Sequence, residues 1–591
     1  MRSSPIYDDV APLARRARAV FFVVAGLFLI LAFSYWKIQI LDYGKFWAMS
    51  EANRTREIVL PAPRAALTDR SGQIILVNNI ASFKASIIRE NTRDFAASCA
   101  RVGALLGLDP GVIEERVDKF RSEPLFKPIV VKDDLTLEEV ARIEARKLDL
   151  PELVIETEPK RFYPYGTLGA HVLGYMQELT TDELRGAFKD RRLGDRIGRM
   201  GVENSLEKRI AGTDGKLVEI VDSLGRKRDE LERVDPVQPP KVVLTLDYDL
   251  QAKADEFLAG REGAIVALDP KTGGILALAS SPTYDPNKFV NRFTPEEWTT
   301  LAENPDNPML NRAIQGLYSP GSMFKLVMAA AGLDTGTIVP QTTAYCPGSI
   351  MIYGRQFRCW FEAGHGTVNL YEAIRQSCNV YFYSLGRRMN IDTIARYATE
   401  LGLGRKTGID IPGEREGLVP DTEWKKRVMK EDWYPGETIS VAIGQGALQV
   451  TPVQVAEMTA TIANRGTRVR PHLVLDDETQ AGIVRVPSAV LNEIIEGMWR
   501  SANEGGTGAA ARVDGFDVCS KTGTVQTIGR ETAERLGIKP KTHSWFTGFA
   551  PRNDPRIVVT VLVEFGGSGG ATSAPVAGEL FKIYKAKAAG S

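Results

Sequence analysis

The sequence predicts an α+β fold for the larger, C-terminal part of the chain. Two apolar strand patterns, residues 263–269 and 274–279, are joined by a Pro-Lys-Thr-Gly turn, which is typical of a β-hairpin. A third strand pattern, residues 557–564, lies near the end of the chain. Helical patterns occupy the interval between them, at residues 323–334, 369–388, 391–401 and 452–464. Strands at both ends with helices between them indicate one antiparallel sheet covered by helices.

Length and composition restrict the class of protein. A chain of 591 residues is too long for one hydrophobic core and predicts several folding units. Lys plus Arg and Asp plus Glu both number 74, so there is no basic excess of the kind that nucleic-acid binding requires. Five cysteines are too few, and odd in number, for a scaffold built on disulfides.

Residues 19–36 form an uncharged apolar segment of eighteen residues, which is about the minimum for crossing a bilayer. Arginines at positions 15, 16 and 18 precede it, so residues 1–18 are expected to stay in the cytoplasm and the rest to be exported. The alternative is a cleaved signal peptide. It is disfavoured because the apolar run exceeds the usual length of a signal-peptide core.

The exported part divides in two. Residues 37–240 are rich in charge, mix short strand and helix patterns and contain no catalytic set, which predicts a structural pedestal. A Pro-Val-Gln-Pro-Pro run at 236–240 is typical of a joint. Residues 241–591 then form the α+β domain.

The pattern Ser-x-x-Lys places a hydroxyl and an amine one helical turn apart, within hydrogen-bond reach. It occurs at Ser34, Ser205 and Ser322. The first lies at the membrane boundary and the second in a charged run typical of a solvated face. Ser322 instead follows Ser-Pro-Gly and precedes an apolar stretch, so it should begin a buried helix whose free N–H groups can hold an oxyanion. The alternative is a capping serine followed by a lysine, Lys325, that reaches the surface.

Two further motifs favour the catalytic interpretation. Ser377-Cys-Asn379 lies in a packed helical pattern, whereas the other Ser-x-Asn, at 501–503, precedes a glycine-rich loop. Lys-Thr-Gly at Lys521 continues a strand pattern, whereas the copies at 271 and 406 lie in turns or loops. Separations of 55 residues from Ser322 to Ser377 and 144 from Ser377 to Lys521 give an ordered triple.

With these three motifs in this order, the chain resembles the penicillin-binding proteins and serine β-lactamases. The resemblance implies that Ser322 is the acylated nucleophile and that Lys325 is its base. It implies that Ser377 and Asn379 act as the second motif. By the same resemblance the third motif is Lys521, Thr522, Gly523 and Thr524, and the backbone N–H groups of Ser322 and Thr524 form the oxyanion hole.

Segments outside the motifs, among them 65–72, 161–166 and 171–175, are similar to the pedestal of class B penicillin-binding proteins. Stretches at 364–366, 433–438 and 443–452 resemble the elongation-specific members. The resemblance implies a peptidoglycan D,D-transpeptidase of the bacterial inner membrane with a periplasmic catalytic domain. It implies stem peptides as substrates, inhibition by β-lactams, and a SEDS-family glycosyltransferase and rod-complex scaffold proteins as partners.

Other members of the fold family are alternatives. A division-specific transpeptidase shares the anchor and the motifs but fits the 433–438 stretch less well. A non-catalytic β-lactam sensor couples this fold to several membrane helices and a zinc protease, and the sequence contains no His-Glu-x-x-His. A β-lactamase would be smaller, and a bifunctional enzyme would carry glycosyltransferase motifs before residue 240.

Three of the five cysteines and one of four histidines fall within 33 positions: Cys346, Cys359, His365 and Cys378. Three thiolates and an imidazole satisfy tetrahedral zinc with no open position, which predicts a structural site. The middle residue of the second motif would then be a metal ligand. The resemblance to elongation transpeptidases supports this prediction, since some of them carry zinc at this place with Asp, His and Cys ligands. The alternative is a disulfide between Cys346 and Cys359, since an exported protein can form one.

Overall fold

A computed structural model describes residues 11–92, 94–186, 188–189, 191–192, 194–222, 227–290, 293–476, 482–526 and 541–590. The chain divides into two compact units that alternate along the sequence. The first unit comprises Met1–Pro63, Ser82–Glu158 and Gly212–Gln238. The second comprises Arg64–Ala81, Pro159–Ala211 and Pro239–Ser591.

The elements have the following bounds. The strands are β1 Thr55–Leu60, β2 Leu67–Thr68, β3 Ile75–Ile87, β4 Ile129–Lys132, β5 Leu153–Phe162, β6 Met176–Glu178, β7 Arg196–Gly198, β8 Gly215–Val221, β9 Lys227–Val234, β10 Val242–Val243, β11 Gly263–Leu268, β12 Ile275–Ser281, β13 Ala344–Cys346, β14 Ser349–Ile352, β15 Arg355–Arg358, β16 Gly366–Val368, β17 Thr467–Arg468, β18 Gly482–Ile483, β19 Cys519–Gln526, β20 Thr542–Ala550 and β21 Ile557–Val563. The helices are α1 Ala11–Trp36, α2 Tyr43–Arg54, α3 Phe95–Leu106, α4 Pro110–Lys119, α5 Leu137–Glu144, α6 Ala170–Leu173, α7 Thr181–Arg185, α8 Gly201–Ser205, α9 Glu207–Ile210, α10 Tyr248–Leu258, α11 Pro286–Val290, α12 Pro295–Ala302, α13 Lys325–Asp334, α14 Leu370–Arg375, α15 Asn379–Gly386, α16 Ile391–Glu400, α17 Thr422–Val428, α18 Pro435–Val441, α19 Pro452–Ala463, α20 Ser488–Asn503 and α21 Ser573–Gly590.

The N-terminal helix contains the predicted membrane segment. Residues 13–41 are continuous helix, including a π-helical turn at Lys37–Leu41, and are long and apolar enough to cross a membrane. None of this helix is buried in the protein. Within the described ranges it is the one helix that is long and apolar enough by itself to cross a membrane. Helices α3 and α4 reach that length only when they are counted together, as a pair bent by 119°. That pair buries its apolar side in the core of the first unit.

The first unit contains the antiparallel sheet β1-β8-β9, in which Thr55 pairs with Ile220. Its core lies between α3, α4, α5 and the strands β3, β4 and β5. Helix α5 begins with a capping box in which Thr136 and Glu139 satisfy each other's backbone N–H groups. No catalytic motif of the sequence falls in this unit.

The second unit is organised by an antiparallel sheet in the order β12-β11-β21-β20-β19. One face packs against α10 and α21, through side chains such as Leu250 and Phe581. The other packs against α13, α19 and α20, through side chains such as Met458 and Ile494. The predicted sheet covered by helices is therefore present, and the α+β prediction is confirmed. Among the described strands, β19 is an edge of this sheet.

Candidate active site

Ser322 lies in a 3₁₀ turn, Gly321–Phe324, that leads directly into the buried helix α13. Its neighbours Met323 and Phe324 are fully buried, whereas Ser322 itself is partly exposed. Gly321 has φ 54°, and its N–H donates to the carbonyl of Gly444 at 2.9 Å. A Cβ on Gly444 would lie 2.0 Å from the Gly321 oxygen, so only glycine permits this close approach. The turn thus presents one hydroxyl on a rigid support.

Lys325 is completely buried and is hydrogen-bonded to the second motif. Its Nζ donates to the Ser377 carbonyl at 2.7 Å, to Ser377 Oγ at 3.3 Å and to Asn379 Oδ1 at 2.6 Å. Removal from water lowers the pKa of Lys325 to about 8, and negative charge on Cys359 and Cys378 opposes that shift. A lysine with this pKa is partly unprotonated near neutral pH, as a general base must be.

Ser377 connects the two buried lysines. Its Oγ accepts from Lys521 Nζ at 2.8 Å as well as from Lys325 Nζ. Lys521 also donates to the Thr522 carbonyl at 2.9 Å. Burial, and then the charge of Lys325, hold the pKa of Lys521 well below its usual range. Ser377 has φ 55°, a conformation that a serine adopts only where the surrounding structure enforces it.

The hydrogen-bond partners of Lys325 differ from those that the motif predicts. The Ser-x-x-Lys spacing predicts a hydrogen bond between Ser322 and Lys325. The three N–H groups of Lys325 are instead directed at Ser377 and Asn379. The reason is the turn at Ser377, whose carbonyl and hydroxyl both point at the ammonium group and offer it a buried acceptor set.

The third motif lies on the edge strand β19. Lys521 and Thr522 are buried, whereas Thr524 is exposed. Thr522 Oγ1 donates to Thr507 Oγ1 at 2.6 Å. The N–H of Gly569 donates to Thr524 Oγ1 at 3.3 Å. Because that oxygen already accepts a hydrogen bond, the Thr524 hydroxyl hydrogen is available to a substrate acceptor.

Gly569, in the glycine-rich run 566–570, contacts the site although none of the three sequence motifs includes it. A Cβ on Gly569 would lie 2.3 Å from the Trp545 oxygen and 2.4 Å from the Gly523 oxygen. The run therefore packs directly on the third motif. The position of this run in the sequence could have indicated the contact. It lies between strand β21 and the last helix, where a loop returns to the edge of the sheet.

The other copies of the motifs have different surroundings. Ser205 is exposed at the end of α8, and Lys271 forms an exposed ion pair with Asp554. Ser501 is buried in helix α20. The structure brings together the Ser377 and Lys521 copies with Lys325, as the order of the motifs predicts.

The predicted metal ligands also converge. Sγ of Cys346 lies 3.6 Å from His365 Nδ1, and Sγ of Cys359 lies 3.5 Å from the same atom. The four ligand atoms, with Cys378 Sγ, all lie within 4.8 Å of one another, and the thiols are free rather than paired in a disulfide. Around tetrahedral zinc, sulfur and nitrogen ligands are separated by about 3.5 Å. The observed separations match this value, so the four residues fit a closed zinc site.

The cluster contacts the second motif directly. The Asn379 N–H donates to Cys359 Sγ at 3.4 Å, and Cys378 separates Ser377 from Asn379 in the chain. A hydrogen bond from Cys378 lowers the pKa of Cys359 to about 4, and burial opposes the shift. The hydrogen bond to Cys359, together with burial, raises the pKa of Cys378. The lowered pKa of Cys359 favours the thiolate, the form that binds a metal, next to the second motif.

The chain matches known families along most of its length. Residues 263–582 match the penicillin-binding protein transpeptidase domain, and residues 59–244 match the penicillin-binding protein dimerisation domain. The peptidoglycan D,D-transpeptidase MrdA of Acinetobacter baumannii is 36% identical, over 96% of this chain and 87% of that protein.

Solved structures agree with these matches. The complex between penicillin-binding protein PBP2 and MreC from Helicobacter pylori is 28% identical, with a TM-score of 0.80 over 90% of this chain and 99% of that one. A peptidoglycan synthase complex that coordinates polymerization and crosslinking contains a chain 31% identical, with a TM-score of 0.72 over 97% of this chain and 98% of that one.

Fold and motifs define an acyl-transferring serine enzyme. The chain belongs to the penicillin-binding protein family of peptidoglycan D,D-transpeptidases. The family, the fold and the class of enzyme predicted from the sequence are confirmed.

Proposed function

We propose that this chain cross-links peptidoglycan during cell elongation through an acyl-enzyme on Ser322. The observation that carries this proposal is the bridge formed by Ser377 Oγ between Lys325 and Lys521. Two buried amines that share one hydroxyl provide a path for protons beside a partly exposed serine. The names of the relatives, MrdA and PBP2, favour the elongation role over the division-specific and sensor alternatives.

The first step forms the acyl-enzyme. Ser322 Oγ attacks the carbonyl carbon of the penultimate D-Ala of a stem peptide while neutral Lys325 takes its proton. The N–H groups of Ser322 and Thr524 hold the negative oxygen of the tetrahedral intermediate. The carbon–nitrogen bond then breaks, and the terminal D-Ala leaves with a proton delivered through Ser377.

The second step transfers the acyl group. An amine of a neighbouring stem peptide attacks the ester carbon and loses a proton to the lysine pair, and the ester bond to Ser322 breaks. The Ser322 oxygen regains its proton and the enzyme is restored. Asn379 holds Lys325 in place, and the third motif, with Thr522, Gly523 and Thr524, aligns the substrate backbone and carboxylate.

Labelling with a fluorescent penicillin tests this assignment. The wild-type protein should form a stable covalent adduct, and Ser322→Ala should form none. Ser34→Ala and Ser205→Ala, at the other two copies of the motif, are the matched controls and should label like wild type. Retained labelling of the Ser322 variant would refute the nucleophile.

The proposed location is the inner membrane, with residues 1–18 as a cytoplasmic tail and residues 19–36 as the membrane helix. The pedestal, 37–240, and the catalytic domain, 241–591, lie in the periplasm. The arginines before the apolar segment support this orientation. A reporter enzyme active only outside the cytoplasm, fused after residue 591 and after residue 15, tests it: only the first fusion should be active.

The proposed partners are a SEDS-family glycosyltransferase and a rod-complex scaffold protein. Two solved structures support them, since one contains PBP2 with MreC and the other is a peptidoglycan synthase complex. Co-purification of the full-length chain with each partner from membranes checks the proposal, with a chain lacking residues 1–36 as the control for binding through the membrane helix.

We also propose a structural zinc ion bound by Cys346, Cys359, His365 and Cys378. Three thiolates and one imidazole leave no open position, so the ion would neutralise the thiolate charge and hold the 346–365 segment against the second motif. Elemental analysis of protein purified without reductant tests the site. Absence of metal together with a crosslink between Cys346 and Cys359 would contradict it.

A further inference from the structure

The segment from β13 to His365, residues 344–365, exposes several large apolar side chains. They are Tyr345, Met351, Tyr353, Trp360 and Phe361. The Trp360 side chain is 56% exposed and that of Phe361 is 45% exposed. Contiguous exposed aromatic side chains of this kind mark binding surfaces, because leaving them in water is unfavourable.

Trp360 is held in a fixed position despite its exposure. Its Nε1 donates to the carbonyl of Gln376 at 3.0 Å. Its ring centroid lies 5.5 Å from that of His365 and 5.8 Å from that of Phe361. His365 belongs to the Cys/His cluster, which anchors the base of the segment. An exposed ring that is already immobilised loses little conformational entropy when a ligand covers it.

The same part of the segment adjoins the second motif. Gln376, the partner of the indole, directly precedes Ser377. Arg358 and Cys359, which precede Trp360, contact Asn379 at the other end of the motif. Asn379 Nδ2 donates to the Arg358 carbonyl at 3.4 Å, and the Asn379 N–H donates to Cys359 Sγ. The segment that carries the aromatic side chains is therefore hydrogen-bonded to both ends of the second motif.

Positive charge on the adjoining strand indicates what the surface binds. The side chains of Arg355 and Arg358 are exposed on the strand that leads to Trp360. A flat apolar ring in a segment that also exposes guanidinium groups complements a sugar ring attached to a carboxylate-bearing peptide. Peptidoglycan strands have this composition, and β-lactams lack the sugar.

From these contacts, the geometry points to Trp360 and Phe361 as a binding platform for the glycan of the peptidoglycan strand, next to the second catalytic motif. This inference rests on the proposed function and deepens it. The ring stacks on a saccharide unit while the exposed arginines pair with stem-peptide carboxylates. The platform gives the enzyme affinity for polymeric substrate that it does not have for a free peptide.

Equilibrium binding to the Ser322→Ala protein, which cannot turn substrate over, tests the platform. The two probes are a muramyl disaccharide pentapeptide and the same pentapeptide without sugar. Adding Trp360→Ala should weaken binding of the saccharide probe by about three- to tenfold and leave binding of the free peptide unchanged. Trp360→Phe should restore part of the affinity. Tyr345→Ala, on an equally exposed aromatic residue of the same segment, is the matched control.

A second measurement separates the platform from structural support. In an otherwise wild-type protein, Trp360→Ala should label with fluorescent penicillin at the normal rate. Equal loss of binding for both probes, or slowed labelling, would show that the ring supports the second motif and overturn the inference. Unchanged binding of both probes would also overturn it. Absence of labelling in the wild-type protein would refute the proposed function itself, which is a different result.

Discussion

Ser377 Oγ accepts a hydrogen bond from Lys521 Nζ at 2.8 Å, although 144 positions separate the two residues in the chain. The same oxygen accepts from Lys325 at 3.3 Å. Two ammonium groups this close, both without water, cannot both keep their protons at low cost. Burial lowers the pKa of both lysines, and the charge of Lys325 lowers that of Lys521 further.

Ser377→Ala removes this shared acceptor. The backbone carbonyl of Ser377 remains a partner for Lys325, so we expect the protein to fold, with about 1–3 kcal/mol lost in the free energy of unfolding. Acylation by a β-lactam should slow by about 10²- to 10⁴-fold. Stopped-flow acylation and thermal unfolding measure the two effects. Ser384→Ala, whose hydroxyl donates to the Val380 carbonyl of the same helix, is the control. Equal rates for the two variants would contradict the proton path.

The acylation rate should rise with pH through about 8. Only the unprotonated amine of Lys325 accepts the Ser322 proton, and its pKa is lowered to about 8 by burial. The lowered pKa of Lys325 also affects stability. Between about pH 8 and 10.5, Lys325 has lost its proton in the folded state but keeps it in the unfolded state, so the free energy of unfolding should rise as the pH rises through that window. Lys325→Met should abolish the pH dependence of acylation and remove the Lys325 part of the pH dependence of stability, while the part due to Lys521 remains. A rate that is flat between pH 6 and 9 would contradict the assignment of the base.

The order of the motifs predicted that Ser377 and Lys521 meet at Lys325, and the periodicity of the strands predicted the covered sheet, because both depend on local pattern and spacing. The direction of the Lys325 side chain could not be predicted in this way. It depends on the positive φ of Ser377, which places a carbonyl and a hydroxyl at one point. A single sequence does not show which serine adopts that conformation.

The glycine-rich run 566–570 is a second case. Repeated glycine is compatible with flexibility and with close packing, and the sequence does not distinguish them. The structure shows packing, since the space for a Cβ on Gly569 is filled by backbone oxygens of β19 and β20. The Cys/His cluster could be predicted because thiols and imidazole are rare enough for their spacing along the chain to carry information.

Gly569→Ala should impair acylation without unfolding the protein. The added methyl would lie within 2.4 Å of the Trp545 and Gly523 oxygens, so the third motif must shift and Thr524 must lose its hydrogen bond. We expect at least about a tenfold slower acylation by penicillin. Gly567→Ala is the control, since nothing lies within 4 Å of its Cβ position and only its φ of 78° costs about 1 kcal/mol. Similar rates for both variants would show that the contact of Gly569 with the third motif is unimportant.

Chelation of the proposed zinc should lower both stability and activity, because the Cys/His cluster contacts the second motif. The Asn379 N–H donates to Cys359 Sγ, so loss of the metal crosslink would let Asn379 move, and with it the Lys325 ammonium group. We expect chelation to lower the melting temperature and slow penicillin acylation, and added zinc to restore both. Cys346→Ser should bind less zinc by elemental analysis, whereas Cys99→Ala, at a buried thiol of the first unit, should keep the full amount. A chelated protein that melts and acylates like the untreated one would argue against a structural metal.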